Sequence, residues 1–175
     1  MPRKNKKLPR HLLVIRTSAM GDVAMLPHAL RALKEAYPEV KVTVATKSLF
    51  HPFFEGLDVG FLDIETRRTH RGIRGAIRFA REAAELKIDA VADMHNVLRS
   101  KMVRAALHLR GIPVSVIHKG RIEKYMRLGR GSEGVKPLKH TVIRYCDVFR
   151  RLGFDFPDPR PAEKRPRPNP MGEKR

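Results

Sequence analysis

The sequence has one cysteine, Cys146, and no tryptophan. A lone thiol excludes a disulfide within the chain, leaves no cysteine cluster to hold a metal, and suits a reducing compartment. The eight histidines show no H-E-x-x-H spacing, so no metal site is expected. Aromatic residues make up only 6% of the chain, and no RNA-binding motif of the stacked-aromatic kind is present. No apolar run approaches the roughly 20 residues of a membrane span. The basic stretch Met1–Arg10 is not followed by an apolar core and a small-residue cleavage site, so no signal peptide is read. Acidic residues are scarce: 18 Asp and Glu stand against 37 Lys and Arg, a net charge of +19 with pI near 10.9. Such a chain is drawn to polyanions, whether nucleic acid, anionic membrane or phosphorylated glycan, and charge sign does not choose among them.

What is present is ordinary in size and patterning. The 175 residues, 42% of them hydrophobic, suit one domain with a real core. Residues 1–10 carry five cations and no acid and read as a basic disordered arm. His11–Arg16 is a nearly continuous apolar run, as expected of a strand buried on both faces of a parallel sheet. A helical pattern follows from Gly21 to Tyr37, with Pro27 marking either a kink or a later start. Lys41–Thr46, Val59–Ile64, Ala90–Met94 and Val114–His118 read as further strands. Ser48–Gly56 suits a short helix. Arg71–Leu86, Leu98–Leu109 and Thr141–Leu152 read as longer ones, the last stopped by Gly153. In Arg71–Leu86 the spacing puts Ile73, Ile77, Ala80 and Ala84 on one face and Arg71, Arg74, Arg78 and Arg81 on another.

Strands alternating with helices predict an α/β fold, a Rossmann-like parallel sheet covered on both faces. The expected domain is 11–156. Residues 157–175, rich in proline, lysine and arginine, read as a linker or tail.

Ligands of open α/β sheets bind at the carboxyl ends of the strands. Thr17–Asp22, between the first strand and first helix, occupies that edge. Ser18, Ala19 and Gly21 allow close approach to the backbone, and a helix start offers free N–H groups. Asp22 reads either as a helix N-cap or as a carboxylate serving the crevice. The turn lacks the glycine patterns of dinucleotide and ATP sites. Arg67–Arg81 has six arginines and no acid, either a solvated helix face or a cationic lip for phosphate. Asp93 ends the fourth strand and His95 follows in the loop, reading either as site residues or, equally, as structural hydrogen-bonding ones. His140 and Arg144 share a helix face near the same edge. Lys101, Arg104 and Arg110 read as plain helix surface, and Cys146 as a small buried residue.

HLLVIRTSAMGDVAMLPHALRALKEAYP resembles the opening of the bacterial lipopolysaccharide heptosyltransferase family: an apolar strand, Ser-x-x-Gly-Asp, Leu-Pro-x-Leu and a helix ending in Tyr-Pro. KIDAVADMHNVLRSKMVRAALHLRGIP resembles the family's second block, with His95 and Asn96 where Gln and Gly are common. The resemblance runs from His11 to Phe156, about half of a full member. It implies the amino-terminal, acceptor-binding half of a two-domain GT-B glycosyltransferase that moves heptose from ADP-heptose to a lipid A–core hydroxyl with inversion and without a metal. The family's motif aspartate falls on Asp22, the implied general base, since a sugar hydroxyl needs a carboxylate to take its proton. Ser18, Met20, Gly21, Asp93 and His95 fall on the implied acceptor side. Arg67, Arg68 and Arg71 resemble a basic loop that faces acceptor phosphates, and Arg99 and Arg121 resemble positions near the acceptor. The implied partners are a phosphorylated lipid A–core glycan, an anionic membrane surface and a separate carboxy-terminal donor domain. The donor nucleotide-sugar belongs on that domain and no cofactor is expected here, so this chain alone is expected not to transfer sugar. A cytoplasmic location, peripheral to the inner face of the cytoplasmic membrane, follows. The competing readings are a basic nucleic-acid-binding module and a noncatalytic membrane-surface adaptor.

Overall fold

In the computed structural model, residues 7–65, 69–118 and 139–159 are described, Arg99 by its backbone only. Five strands form one sheet: β1 (His11–Ile15), β2 (Lys41–Thr46), β3 (Gly60–Asp63), β4 (Ala90–Asp93) and β5 (Val114–Val116). Every pairing is parallel and the order is β3-β2-β1-β4-β5. β1 is central and buried along its whole length, as its unbroken apolar run requires.

The helices are α1 (Met20–Ala36), α2 (Gly72–Glu85), α3 (Leu98–His108) and α4 (Thr141–Leu152), with a 3-10 helix at Ser48–Phe54. α1 continues through the buried Pro27. α4 ends at Gly153, whose φ of 110° is a left-handed cap that favours glycine. Alternate residues of β1 divide the core. Leu12 and Val14 pack with Leu26, Leu30, Tyr145 and Phe149 under α1 and α4. Leu13 and Ile15 pack with Ala76, Phe79, Ala83 and Leu107 under α2 and α3. The expected Rossmann-like, doubly covered sheet is what forms.

Two expectations are corrected. α2 does not turn Ile73 and Ile77 inward: they are 68% and 46% exposed, and Gly75, Ala76, Phe79, Ala80 and Ala83 face the sheet instead. The reason is proximity. A Cβ added at Gly75 would overlap the backbone of His70, so that one position admits only glycine. The basic arm is also shorter at its carboxyl end than expected. Pro9 is buried, Leu8 packs against the core, and the Arg10 N–H donates to the Asp89 carboxylate at 2.9 Å. Residues 1–6 and 160–175 lie outside the described residues, as does most of the expected arm and tail.

Candidate functional site

The sheet order reverses beside β1: β2 leads one way from it and β4 lies on the other side. In parallel sheets this is where the loops at the carboxyl ends part and leave a crevice. The turn after β1 and the loop after β4 both open there, which brings Ser18 and His95 together; Ser18 Oγ lies 3.5 Å from His95 Nε2.

α1 starts at the crevice. Its N-cap is Ala19, which offers no side-chain bond, and Ala19, Met20 and Gly21 are exposed. A Cβ added at Gly21 would meet nothing within 4 Å, so the space above this turn is open. Asp22 lies at the third helical position and is not the cap. Its Oδ2 instead accepts from the guanidinium of Arg16, and the Asp22 side chain is 44% exposed where that of Arg16 is 7%. Among the described residues only Arg16 bonds this carboxylate, which leaves Oδ1 open to a ligand.

Arg16 is the residue that sequence reasoning missed. It follows β1, where a buried charge is costly unless paired and hydrogen-bonded. It is both: one guanidinium nitrogen donates to Asp22 and another to the carbonyl of Met94, just past β4. The guanidinium also stands 5.9 Å from the ring centre of Tyr145. Tyr145, on α4, donates its hydroxyl to the Asp22 carbonyl at 3.0 Å. Burial pushes that phenol up to about 12, so it remains a donor throughout the neutral range. The ends of β1 and β4 and the helices α1 and α4 therefore all converge on Asp22. A charged residue closing an apolar strand, six positions before an aspartate, was the available signal.

The loop after β4 is fixed by Asp93, whose side chain is fully buried. Its Oδ1 accepts from the N–H groups of His95 at 2.9 Å and Asn96 at 2.8 Å, and its Oδ2 from Arg104 at 3.1 Å. Asp93 thus reaches the crevice through the loop it shapes. Arg104, expected on plain helix surface, is corrected to the half-buried partner of the buried Asp93. Asn96 sits in the left-handed region with φ 47°, a conformation that asparagine tolerates better than most residues. Ser100 closes the start of α3, bonding the Val97 N–H and carbonyl at 3.0 Å each.

Of the expected phosphate-facing arginines, Arg71 is exposed at the start of α2. Arg67, Arg68 and Arg121 lie outside the described residues, as does the side chain of Arg99. The residues flanking Arg67 and Arg68 are pinned together. The His70 N–H donates to the Glu65 carbonyl at 3.0 Å, and the Glu65 N–H donates to His70 Nδ1 at 3.1 Å. His70 Nε2 must then carry the proton it gives to Glu82 at 3.0 Å. A cavity of about 40 Å³ beneath this point is lined by Thr17, His70 and His95. It has room for roughly a water or two, so the surface offered to a larger ligand is the open edge. His140 caps α4 by accepting from the Val142 N–H at 3.4 Å, and Arg144 donates to the His118 carbonyl at 3.2 Å. The Arg144 bond joins the start of α4 to the segment just past β5. Cys146 is buried and its thiol is pushed up to about 11 by that burial, which suits packing and not nucleophilic attack. No group of side chains among the described residues could hold a metal ion.

The fold and its open edge define a Rossmann-like domain of the kind found in GT-B glycosyltransferases. The sequence matches no family model and no curated protein. Solved structures do share the fold. A glycosyl transferase family 9 protein from Veillonella parvula superimposes with a TM-score of 0.61 at 17% identity, over 82% of this chain and 42% of that one. The E. coli heptosyltransferase WaaC, solved with ADP-2-deoxy-2-fluoro heptose, gives 0.58 at 24% identity, over 84% and 50%. The E. coli ADP-heptose lps heptosyltransferase II gives 0.54 at 21% identity, over 90% and 44%. At these identities the likeness is one of fold, and the chain spans half the length of these structures or less.

Proposed function

We propose that this chain is the acceptor-binding half of an inverting GT-B glycosyltransferase that passes heptose from a nucleotide-sugar to a phosphorylated lipid A–core glycan. The observation that carries the reading is the Asp22 carboxylate: half exposed on the first turn of α1, at the carboxyl edge of the sheet, and held through one oxygen by the buried Arg16. The likeness in fold to heptosyltransferases supports it.

In this reading the acceptor hydroxyl gives its proton to Asp22 as its oxygen bonds to the anomeric carbon of the donor. The bond from that carbon to the nucleoside diphosphate breaks, and the diphosphate leaves with the electron pair. A single displacement inverts the centre. Ser18, Met20 and Gly21 receive the acceptor beside the carboxylate, with His95 across the crevice on the loop that Asp93 holds. Arg67, Arg68, Arg71, Arg99 and Arg121 supply cations for its phosphates. The donor nucleotide sits on a separate carboxy-terminal domain. The protein works in the cytoplasm, at the inner face of the membrane. Among the described residues no helix is long and apolar enough to cross it.

Calorimetric titration of this chain tests the reading. A de-acylated, phosphorylated core oligosaccharide is expected to bind, ADP-heptose is not, and the chain alone is expected to give no turnover with both present. Tight binding of ADP-heptose with none of the oligosaccharide, or normal turnover by this chain, would overturn it.

A further inference from the structure

His70 is gripped from two sides. On one side is α2. The His70 backbone lies so close to Gly75 that an added Cβ would overlap it. Its ring is buried and meets Phe79 edge-on, with centres 5.6 Å apart. Nε2 donates to Glu82 at 3.0 Å, and Glu82 is itself held by Arg78 at 3.1 Å. On the other side is the end of β3. Nδ1 accepts from the Glu65 N–H at 3.1 Å, and the His70 N–H donates to the Glu65 carbonyl at 3.0 Å. The Thr69 hydroxyl donates to the Glu65 carboxylate at 2.9 Å. Ile64, just before, is tied to the sheet through its N–H, which donates to the Thr46 carbonyl at 2.8 Å. One imidazole therefore brackets the end of β3 to α2.

A fold alone does not call for such a bracket. A buried polar ring needs partners for both nitrogens, and Gly75 weakens the helix that must carry it. An apolar side chain would pack on Phe79 with neither demand. What the bracket encloses is Thr66–Thr69, with Arg67 and Arg68 side by side. Adjacent guanidiniums repel one another and sit on long, rotamer-rich side chains, so ordering them at the moment of binding lowers affinity. Fixing both ends of the segment on folding removes part of that cost from binding. The bracket also stands at the site, because His70 and Ile64 line the small cavity shared with Thr17 and His95.

We infer that His70 is a positioning residue for recognition of the acceptor's phosphates: its ring, protonated on Nε2, holds both ends of the Arg67–Arg68 segment and ties them to α2. The inference rests on the acceptor-binding reading and extends it, since it makes His70 a determinant of preference for a phosphorylated acceptor over an unphosphorylated one.

The test is calorimetric titration with a phosphorylated core oligosaccharide and with the same oligosaccharide after phosphatase treatment. The wild-type chain is expected to prefer the phosphorylated form. His70→Gln places an amide near Nε2 and leaves nothing at Nδ1 to accept the Glu65 N–H. It is expected to weaken binding of the phosphorylated form by about threefold to tenfold, the equivalent of one hydrogen bond, and to leave the unphosphorylated form unchanged. His70→Asn, whose Oδ1 stands where Nδ1 was, is expected to recover part of that loss. The pair Arg67→Gln and Arg68→Gln is expected to abolish the preference, and adding His70→Gln to it is expected to change nothing further. Fully additive losses, or a preference that His70→Gln leaves intact, would overturn the inference while the acceptor reading stands. A wild-type chain with no preference for the phosphorylated form would overturn both. Long-range nitrogen–proton correlation spectra of the free wild-type chain check the bracket without ligand or variant. A bare Nδ1 and a protonated Nε2 are expected, and the opposite tautomer would overturn the inference even if every variant failed to fold.

Discussion

Under α1 and α4 the space against the sheet is filled by aromatics, Tyr145, Phe149, Phe154 and Phe156; under α2 and α3 it is filled by one aromatic, Phe79, with Ala76, Ala80, Ala83, Val103 and Leu107. The outer surfaces differ in the opposite sense. On the α1 and α4 side the cations are largely paired: Lys34 with Asp58, Lys139 with Asp147, and Arg150 with both Asp147 and Asp158. On the α2 and α3 side Arg78 pairs with Glu82 and Arg104 with Asp93, while Arg74 and Arg81 stand exposed near Ile73 and Ile77. One layer spends its large side chains inward and holds the fold, and it also supplies Tyr145 to the Asp22 site. The other fills its side with smaller groups and leaves Ile73, Ile77 and Leu98 exposed.

The sharpest way to break this contrast is truncation of the two buried phenylalanines. Phe149→Ala is expected to cost towards the upper end of the roughly 3–5 kcal/mol seen for such changes, and Phe79→Ala towards the lower end. Urea denaturation of both variants measures this, and equal losses would show that the two layers contribute alike. Next come two glycines with opposite surroundings. Gly75→Ala drives a methyl into the His70 backbone and is expected to cost about 1–3 kcal/mol. Gly21→Ala meets open space and is expected to cost no stability by thermal melting, while lowering affinity for the oligosaccharide that would share that space. Tyr145→Phe removes the bond to the Asp22 carbonyl from an otherwise unchanged ring. A loss of about 1 kcal/mol is expected by denaturant titration, with acceptor affinity falling further than stability. The smallest effect belongs to His11, at the amino end of β1. Burial first, and Lys41 second, lower its imidazole from the usual 6.5. The unfolded chain therefore takes up this proton at higher pH than the folded one. His11 leaves stability untouched above that value and erodes it as pH falls from 6.5 towards the folded value. Replacing it with Gln is expected to flatten this part of a pH–stability curve.

Much of this was legible in the sequence. The five strands are found within one or two residues of their expected limits because continuous apolar runs between turn signals leave little else for the chain to do. The helix at Thr141–Leu152 and its glycine stop were legible for the same kind of local reason. The phase of α2 was not. Its apolar residues satisfy helical spacing on two adjoining faces, and the face that packs inward also brings Gly75 against the His70 backbone, a contact no periodicity records. Ser18, Gly21 and Asp22 were placed at the sheet edge correctly. What holds Asp22 was hidden, because the pairing of Arg16 with Asp22, Met94 and Tyr145 draws on β1, α1, β4 and α4 at once. Arg104 was misread for a like reason: its partner Asp93 lies on another element and is wholly buried. Arg67, Arg68 and Arg121 fall outside the described residues, so their expected roles rest on the sequence alone.

The most direct measurement is an amide chemical-shift map of this chain with a phosphorylated core oligosaccharide added to saturation. Binding at the proposed site would move the amides of Ser18 to Asp22 and His95 to Val97, leave the outer face of α2 unmoved, and lose most of its affinity in Asp22→Asn. Shifts confined to α2 and α3, or an affinity indifferent to Asp22, would contradict an acceptor site at the edge of this sheet.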